Sequence, residues 1–121
     1  MAKGDDISER LIDYAVRIIH VSRALPRDDV GRHISGQVLR AGTGVGANYE
    51  EARGAESRAD FVHKLGVSWK EAKESLFWLK VTQRAKLIRP SRLGGLIQEA
   101  DELCAILASS RATARKGGKT P

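Results

Sequence analysis

The sequence predicts an all-α protein folded as an antiparallel up-down-up-down four-helix bundle, on three observations. Apolar residues recur every three to four positions through four successive segments, which is the period of an amphipathic helix. Proline or glycine interrupts the pattern between these segments. The chain has 121 residues, 41% of them hydrophobic, which is enough for one core but not for two. Because the connections are short, consecutive helices are expected to be antiparallel neighbours.

The ends of the helices follow from capping residues and helix breakers. Asp6 and Glu9 are placed as a capping box for the first helix, which Pro26 ends. Ser57 is placed to cap the third helix, and Pro90 precedes the fourth. The predicted helices span about 6–25, 29–53, 57–88 and 91–110.

The second helix contains several glycines, which are unfavourable inside a helix and therefore need a reason. A phosphate-binding loop is rejected because the surroundings are helical and no Gly-Lys-Ser/Thr ending follows. Gly42 and Gly46, with Ser35 on the same side, instead form a ridge of small residues. Such a ridge lets a neighbouring backbone approach closely. The core stripe of this helix is expected to include Val30 and Asn48.

The third helix has apolar residues on two sides. Its core face includes Phe61, Leu65 and Leu79, and a second group projects on roughly the opposite side. One bundle buries only one such face, so we expect the second group to form a homo-oligomer interface. The members of this second group are Val67, Phe77, Trp78 and Val81.

The fourth helix carries Cys104 on its apolar side, where we expect a buried structural thiol. Residues 1–110 are expected to form the bundle, and 111–121 a basic, disordered tail. The chain starts without the apolar run of a signal peptide and has no segment long enough to span a membrane. We therefore expect a cytoplasmic protein without a membrane partner.

The distribution of charge along the chain gives the strongest indication of function that is independent of any family resemblance. The formal net charge is +6 and the pI about 9.8, which favours an acidic partner such as RNA or DNA. Residues 23–33 carry a net +1 and residues 80–92 a net +5, and an up-down bundle brings both segments to one end. The candidate nucleic-acid-binding residues at this end are Arg23, Arg27, Arg32, Lys80, Arg84, Lys86, Arg89 and Arg92.

Three stretches, 35–52, 54–64 and 70–79, resemble the bacterial four-helix-bundle family of 23S rRNA intervening-sequence proteins. The resemblance implies association into ring-like homopentamers. A related branch, similar only in architecture, comprises accessory proteins of diversity-generating retroelements, which look like basic pentameric barrels that bind nucleic acid and a reverse transcriptase. Lys86 stands where the family pattern has a glycine. The matching positions, interpreted as structural, are Asn48, Glu51, Ser57, Phe61 and Glu71.

One of the matching positions, Asn48, falls on the core side of its helix. A polar amide there needs hydrogen bonds, so we expect it to bridge the second and third helices.

No arrangement of nucleophile, base or metal ligands is recognisable, so we expect a binding protein rather than an enzyme, without a cofactor or metal. Asp60 and His63 give the only Glu/Asp-x-x-His spacing, and His63 lies away from the core face. Two functions remain open. One is phosphate-backbone binding to RNA or DNA; the other is a protein scaffold, or accessory factor, for a partner such as a reverse transcriptase.

Overall fold

The computed structural model describes Ala2 and residues 4–117, and this part of the chain contains four α-helices and no strand. A short 3₁₀ turn, Pro90–Arg92, lies in the connection before the last helix. The all-helical prediction with four helices is therefore confirmed. The helices are α1, Asp5–Ala24; α2, Asp29–Arg53; α3, Arg58–Arg84; and α4, Gly94–Arg115.

Consecutive helices pack side by side and run antiparallel. Between α1 and α2, Ser22 meets Ser35 at one end, and Ser8 meets Arg53 at the other. The same reversal holds between α2 and α3, where Arg40 pairs with Glu74 and, nearer the α2–α3 turn, Glu51 pairs with Lys64. It also holds between α3 and α4, because Arg111 near the end of α4 lies beside Trp69 in the first half of α3. Helices α1 and α4 have the smallest contact of the adjacent helix pairs.

The core contains most of the apolar residues that the sequence predicted. On α2, however, one predicted core residue is exposed and another residue is buried. Val30 is 57% exposed, although the periodicity placed it in the core, and Tyr49 is buried instead. The predicted capping box of α1 also differs, because the helix begins at Asp5 and has Gly4 as an N-cap without a side-chain bond. The Asp6 and Glu9 side chains are therefore exposed on the first turns of the helix.

The ridge of small residues on α2 allows α1 to approach closely, as predicted. A β-carbon on Gly42 would lie 2.6 Å from a side-chain carbon of Ile18, which is fully buried. At the next contact along the ridge, the hydroxyls of Ser22 and Ser35 are 2.5 Å apart. The glycines therefore allow α1 and α2 to pack closely.

Helix α3 places buried hydroxyls at seven-residue intervals on its core side. Ser68 donates to the carbonyl of Val45 on α2 at 2.7 Å. Ser75 is 2.7 Å from the hydroxyl of Tyr14, which links α3 to α1 across the core. Thr82 donates to the carbonyl of Trp78 one turn earlier. These side chains are small and each hydroxyl has a hydrogen-bond partner, so the three add no unpaired hydroxyl to the interfaces of α3.

Helix α3 ends at Arg84 rather than at the predicted 88, because the backbone turns at Lys86. Lys86 has φ of +55°, in the left-handed region that favours glycine. The amide of Leu87 donates to the carbonyl of Thr82 at 3.1 Å, which closes a Schellman-type helix end. The family pattern has a glycine at this position because glycine adopts the left-handed backbone conformation without strain.

Replacing Lys86 by glycine is expected to raise the free energy of unfolding by about 1 kcal/mol, because a β-carbon in the left-handed region is strained. The midpoint of urea unfolding, compared at unchanged slope, measures this change. Lys86→Ala removes the same charge without relieving the strain, so it is the matched control and should give no gain. An equal gain in both variants would show that charge, rather than backbone strain, is responsible.

Helix α4 continues past the predicted end at 110, so residues 111–115 are helical rather than part of a disordered tail. Arg111 packs over Gly66 and lies 5.7 Å from the Trp69 ring, and Ala114 is buried. These contacts with α3 stabilise the extra turn. The remainder of the predicted tail, 118–121, lies outside the described residues. In the described part of the chain, no helix has the length and apolarity needed to cross a membrane.

Candidate nucleic-acid interface

The predicted basic residues lie together at one end of the bundle, which we call the basic end. The α1–α2 turn and the α3–α4 connection meet there, since His20 and Ala24 of α1 line a cavity with Ile88 and Arg92. All of the side chains in the predicted group are exposed. The basic end comprises Arg23, Arg27, Arg32, Lys80, Arg84, Lys86, Arg89 and Arg92.

Part of the basic end forms an open concavity at the α1–α2 turn. Arg23, Arg27 and Arg32 line it, and its volume is about 410 Å³. The turn is fixed by Asp28, whose carboxylate accepts the amide of Gly31 at 2.8 Å and caps α2. The cap leaves the charge of this carboxylate in place, so the three guanidinium groups exceed the two aspartates of 23–33 by one formal charge.

The ion pairs among the described residues all involve cations outside the basic end. Arg10 pairs with Glu99 at 2.6 Å, and Lys64 with Glu51 at 2.7 Å. Arg40 and Arg53 also have carboxylate partners. The bundle therefore neutralises several cations on its sides and leaves those of the basic end facing solvent.

A second cavity lies between α1 and the start of α4, with a volume of about 180 Å³. Its lining includes Arg17 and His20 of α1 and Arg92 of the 3₁₀ turn. Arg92 belongs to the predicted group, but the sequence did not single out Arg17 and His20. Their i, i+3 spacing beside the core stripe is a weak signal, and their relation to α4 depends on how α1 and α4 are staggered.

The family-motif residues contact neighbouring helix turns and the core, and one of the predicted contacts is not formed. Ser57 caps α3 by accepting the amide of Asp60 at 3.1 Å, and Phe61 packs against the core. Glu51 joins α2 to α3 through its ion pair. Asn48 donates at 2.8 Å to the carbonyl of Gly44 in its own helix, so the predicted bridge to α3 is not formed.

Glu71 and Glu74 face α2, where Arg40 lies between them. An Arg40 nitrogen is 3.4 Å from Glu71, and Arg40 also donates to Glu74. Trp78 donates to Glu74 at 3.4 Å. A β-carbon on Gly44 would lie 2.6 Å from Glu71, so this glycine makes room for the carboxylate. The partner of these acids is thus on α2 rather than Lys70 or Lys73 of their own helix.

The residues predicted for an oligomer interface are not equally exposed. Phe77 is 56% exposed and lies edge-on to Trp78, with ring centroids 5.0 Å apart. Trp78 and Val81 are half-buried and pack against the core, and Val67 is half-buried too. Helix α3 has two apolar sides partly because it packs between α2 and α4. Phe77 is the member of this group that projects into solvent.

Cys104 is half-buried, and burial, followed by the nearby Asp101, raises the pKa of its thiol. A thiol with a raised pKa is a poor nucleophile at neutral pH, in keeping with the expected structural role. Within residues 4–117, no group of three or more His, Cys, Asp or Glu side chains is placed to hold a metal ion.

Four antiparallel helices with an unneutralised cationic end define a small, basic, all-helical bundle protein. The chain belongs to the 23S rRNA-intervening sequence protein family, whose model matches residues 5–109. The resemblance inferred from the sequence is therefore confirmed.

A solved relative shares the fold. It is a protein with unknown function from the S23 ribosomal protein family of Bacteroides thetaiotaomicron VPI-5482, determined at 1.70 Å. The two chains are 34% identical with a TM-score of 0.79, over 85% of this chain and 95% of that one. Comparison with curated proteins gave no match.

Proposed function

We propose that this protein is a non-enzymatic, homo-oligomeric bundle that binds the phosphate backbone of RNA or DNA through its basic end. The observation that carries the proposal is the contrast between paired and unpaired cations. Among the described residues, no basic-end side chain has a carboxylate within ion-pair distance, whereas Arg10, Arg40 and Lys64 do. Exposed, unpaired cations on one end offer favourable contacts to phosphates.

Association of several copies would multiply these contacts. Residues 23–33 and 80–92 have a combined net charge of +6, equal to that of the whole chain. If subunits pack side by side in parallel, as in the ring-like homopentamer that the family resemblance implies, their basic ends form one cationic surface. Exposed apolar side chains on α1 and α3, such as Ile12, Val16 and Phe77, favour this association. Binding should then be sensitive to salt and weakly specific for sequence.

The test is fluorescence anisotropy of labelled RNA and DNA across a salt series, with the oligomer mass measured by light scattering on the same samples. The variant replaces the four cations of 84–92 by glutamine. We expect its affinity at low salt to fall by at least about tenfold, and the salt slope to fall by roughly 3, since each phosphate contact on a single strand contributes about 0.7. The substitutions are Arg84→Gln, Lys86→Gln, Arg89→Gln and Arg92→Gln.

A matched control removes the same number of cations outside the basic end. Its residues are exposed and, among the described residues, have no carboxylate at ion-pair distance, so net charge falls equally. Equal loss of affinity in both variants, or no binding by the intact oligomer at low salt, would refute the basic-end interface. The control substitutions are Arg58→Gln, Lys70→Gln, Arg115→Gln and Lys116→Gln.

A protein scaffold is the second candidate, and exposed apolar surface favours it. Ile12 and Val16 of α1 are 56% and 45% exposed, and Phe77 of α3 is 56% exposed. These side chains suit a protein partner, such as a polymerase encoded nearby, as well as a second copy of the chain. A partner whose binding survives neutralisation of 84–92, in the absence of nucleic-acid binding, would favour the scaffold.

A further inference from the structure

The cavity between α1 and α4 is chemically different from the rest of the basic end. It is bounded by α1, the 3₁₀ turn and the start of α4, and its volume of about 180 Å³ is several times that of a water molecule in the liquid, about 30 Å³. Both this cavity and the concavity of Arg23, Arg27 and Arg32 are partly open to solvent. The α1–α4 cavity differs in its lining, which combines basic side chains with buried apolar side chains of α1 and α4.

Two arginines and a histidine line this cavity from two elements. Arg17 and His20 lie on neighbouring turns of α1, and Arg92 lies on the 3₁₀ turn opposite. No carboxylate lines the cavity, and none of the described carboxylates lies within ion-pair distance of the three side chains. Arg17 is placed beside the first turn of α4, because a β-carbon on Gly95 would be 3.5 Å from its guanidinium nitrogen.

Apolar side chains form part of the cavity lining, and we call this part its apolar floor. Val21 of α1 and Leu96 of α4 contribute to it, together with Ile88 from the connection before the 3₁₀ turn. A ligand that fits must therefore combine a compact anion with an apolar or ring-like part. A lone inorganic anion would use the cations and leave the floor uncovered.

We propose that the α1–α4 cavity binds a phosphate monoester, with Arg17, His20 and Arg92 around the phosphate and the attached sugar or base over the apolar floor. A monoester carries close to two negative charges at neutral pH, whereas a phosphodiester within a strand carries one. A monoester also has a free end that enters a recess, while a diester is flanked by chain on both sides. Two sources share this chemistry: the terminal phosphate of an RNA or DNA strand, and a free mononucleotide.

The inference rests on the proposed function only where the phosphate is that of a strand end. In that case the protein would distinguish a phosphorylated end from the interior of the strand. The open part of the basic end would hold the backbone, and the cavity would hold the terminus. Free mononucleotide binding would stand without any nucleic-acid binding.

The experiment compares one RNA oligonucleotide in three forms, with a 5′-phosphate, a 3′-phosphate and hydroxyls at both ends, at a single salt concentration. We expect at least one phosphorylated form to bind about tenfold more tightly than the hydroxyl form, as one added charge-assisted contact would give. The ratio of the affinity for the phosphorylated form to that for the hydroxyl form should fall to near one in the double variant Arg17→Gln and Arg92→Gln. In the matched control Arg23→Gln and Arg27→Gln all three forms should weaken together, with the ratio kept.

The second arm uses adenosine 5′-monophosphate, with adenosine as control, and follows the His20 ring resonances by NMR. Shifts with the monophosphate but not with adenosine, lost in the double variant, would support the cavity even if no oligonucleotide binds. Oligonucleotide binding with a ratio near one, and no shift with the monophosphate, would overturn the inference and leave the proposed function standing. A ratio that persists in the double variant would also overturn it.

Discussion

Replacing Gly31 by alanine is expected to lower the free energy of unfolding by about 3 kcal/mol, since it overpacks a turn that has no space. A β-carbon on Gly31 would lie 1.8 Å from the carbonyl oxygen of Pro26, a backbone atom that cannot rotate away. The Pro26 backbone would have to move, and with it the cap that Asp28 makes to the Gly31 amide. The gain in helix propensity, about 1 kcal/mol, is too small to compensate.

The measurement is thermal unfolding, where a loss of this size lowers the midpoint by roughly 10 °C in a domain of about this length. Gly36→Ala is the matched control in the same helix, because nothing lies within 4 Å of its β-carbon position. This control should gain up to about 1 kcal/mol from helix propensity. If both variants moved the midpoint in the same direction, close packing of the α1–α2 turn would not be the reason for Gly31.

Replacing Ser68 by leucine is the second change with a large expected effect, a loss of about 3 kcal/mol. By sequence alone it looks favourable, because Ser68 lies on the core stripe of α3 and leucine is both apolar and a better helix former. The structure predicts the opposite. Ser68 is fully buried against α2, and its hydroxyl is 2.7 Å from the Val45 carbonyl, so a larger side chain would push α2 and α3 apart.

Urea unfolding of Ser68→Leu, with Ser68→Ala beside it, separates packing from hydrogen bonding. The alanine variant loses only the hydroxyl, so it should change the free energy of unfolding by about 1 kcal/mol or less. A leucine variant as stable as the original protein would mean that the α2–α3 interface relaxes, and that the seven-residue spacing of Ser68, Ser75 and Thr82 does not fix the distance between these helices.

Much of the fold was predictable because it depends on local patterns. The 3.6-residue period fixed the number and order of helices, and the Ser57 cap follows from residues within one turn. The ends of α3 and α4 were less predictable. The first depends on the backbone of Lys86 in the left-handed region, and the last turn of α4 on contacts of Arg111 with Trp69. Neither is encoded in periodicity.

The residues of the candidate site likewise divide into those that the sequence predicted and those that depend on how the helices pack. Charge along the sequence, with antiparallel order, was enough to bring Arg27 and Arg89 to one end. Arg17 and His20 were missed because their importance comes from the stagger of α4 against α1, which places the first turn of α4 beside them. Asn48 illustrates a different error: it is half-buried rather than in the core, and its amide is satisfied within α2.

The antiparallel order of an even number of helices leaves α1 starting and α4 ending at the same end of the molecule, away from the basic end. Gly4 lies against Tyr49 and Arg53, and Gly117 lies against Arg58, so both are next to the α2–α3 turn. A fluorophore, affinity tag or fused enzyme joined at either side would therefore sit at least a helix length, about 30 Å, from the cationic surface. The molecule can be anchored to a sensor chip by that end with its basic end presented to solution.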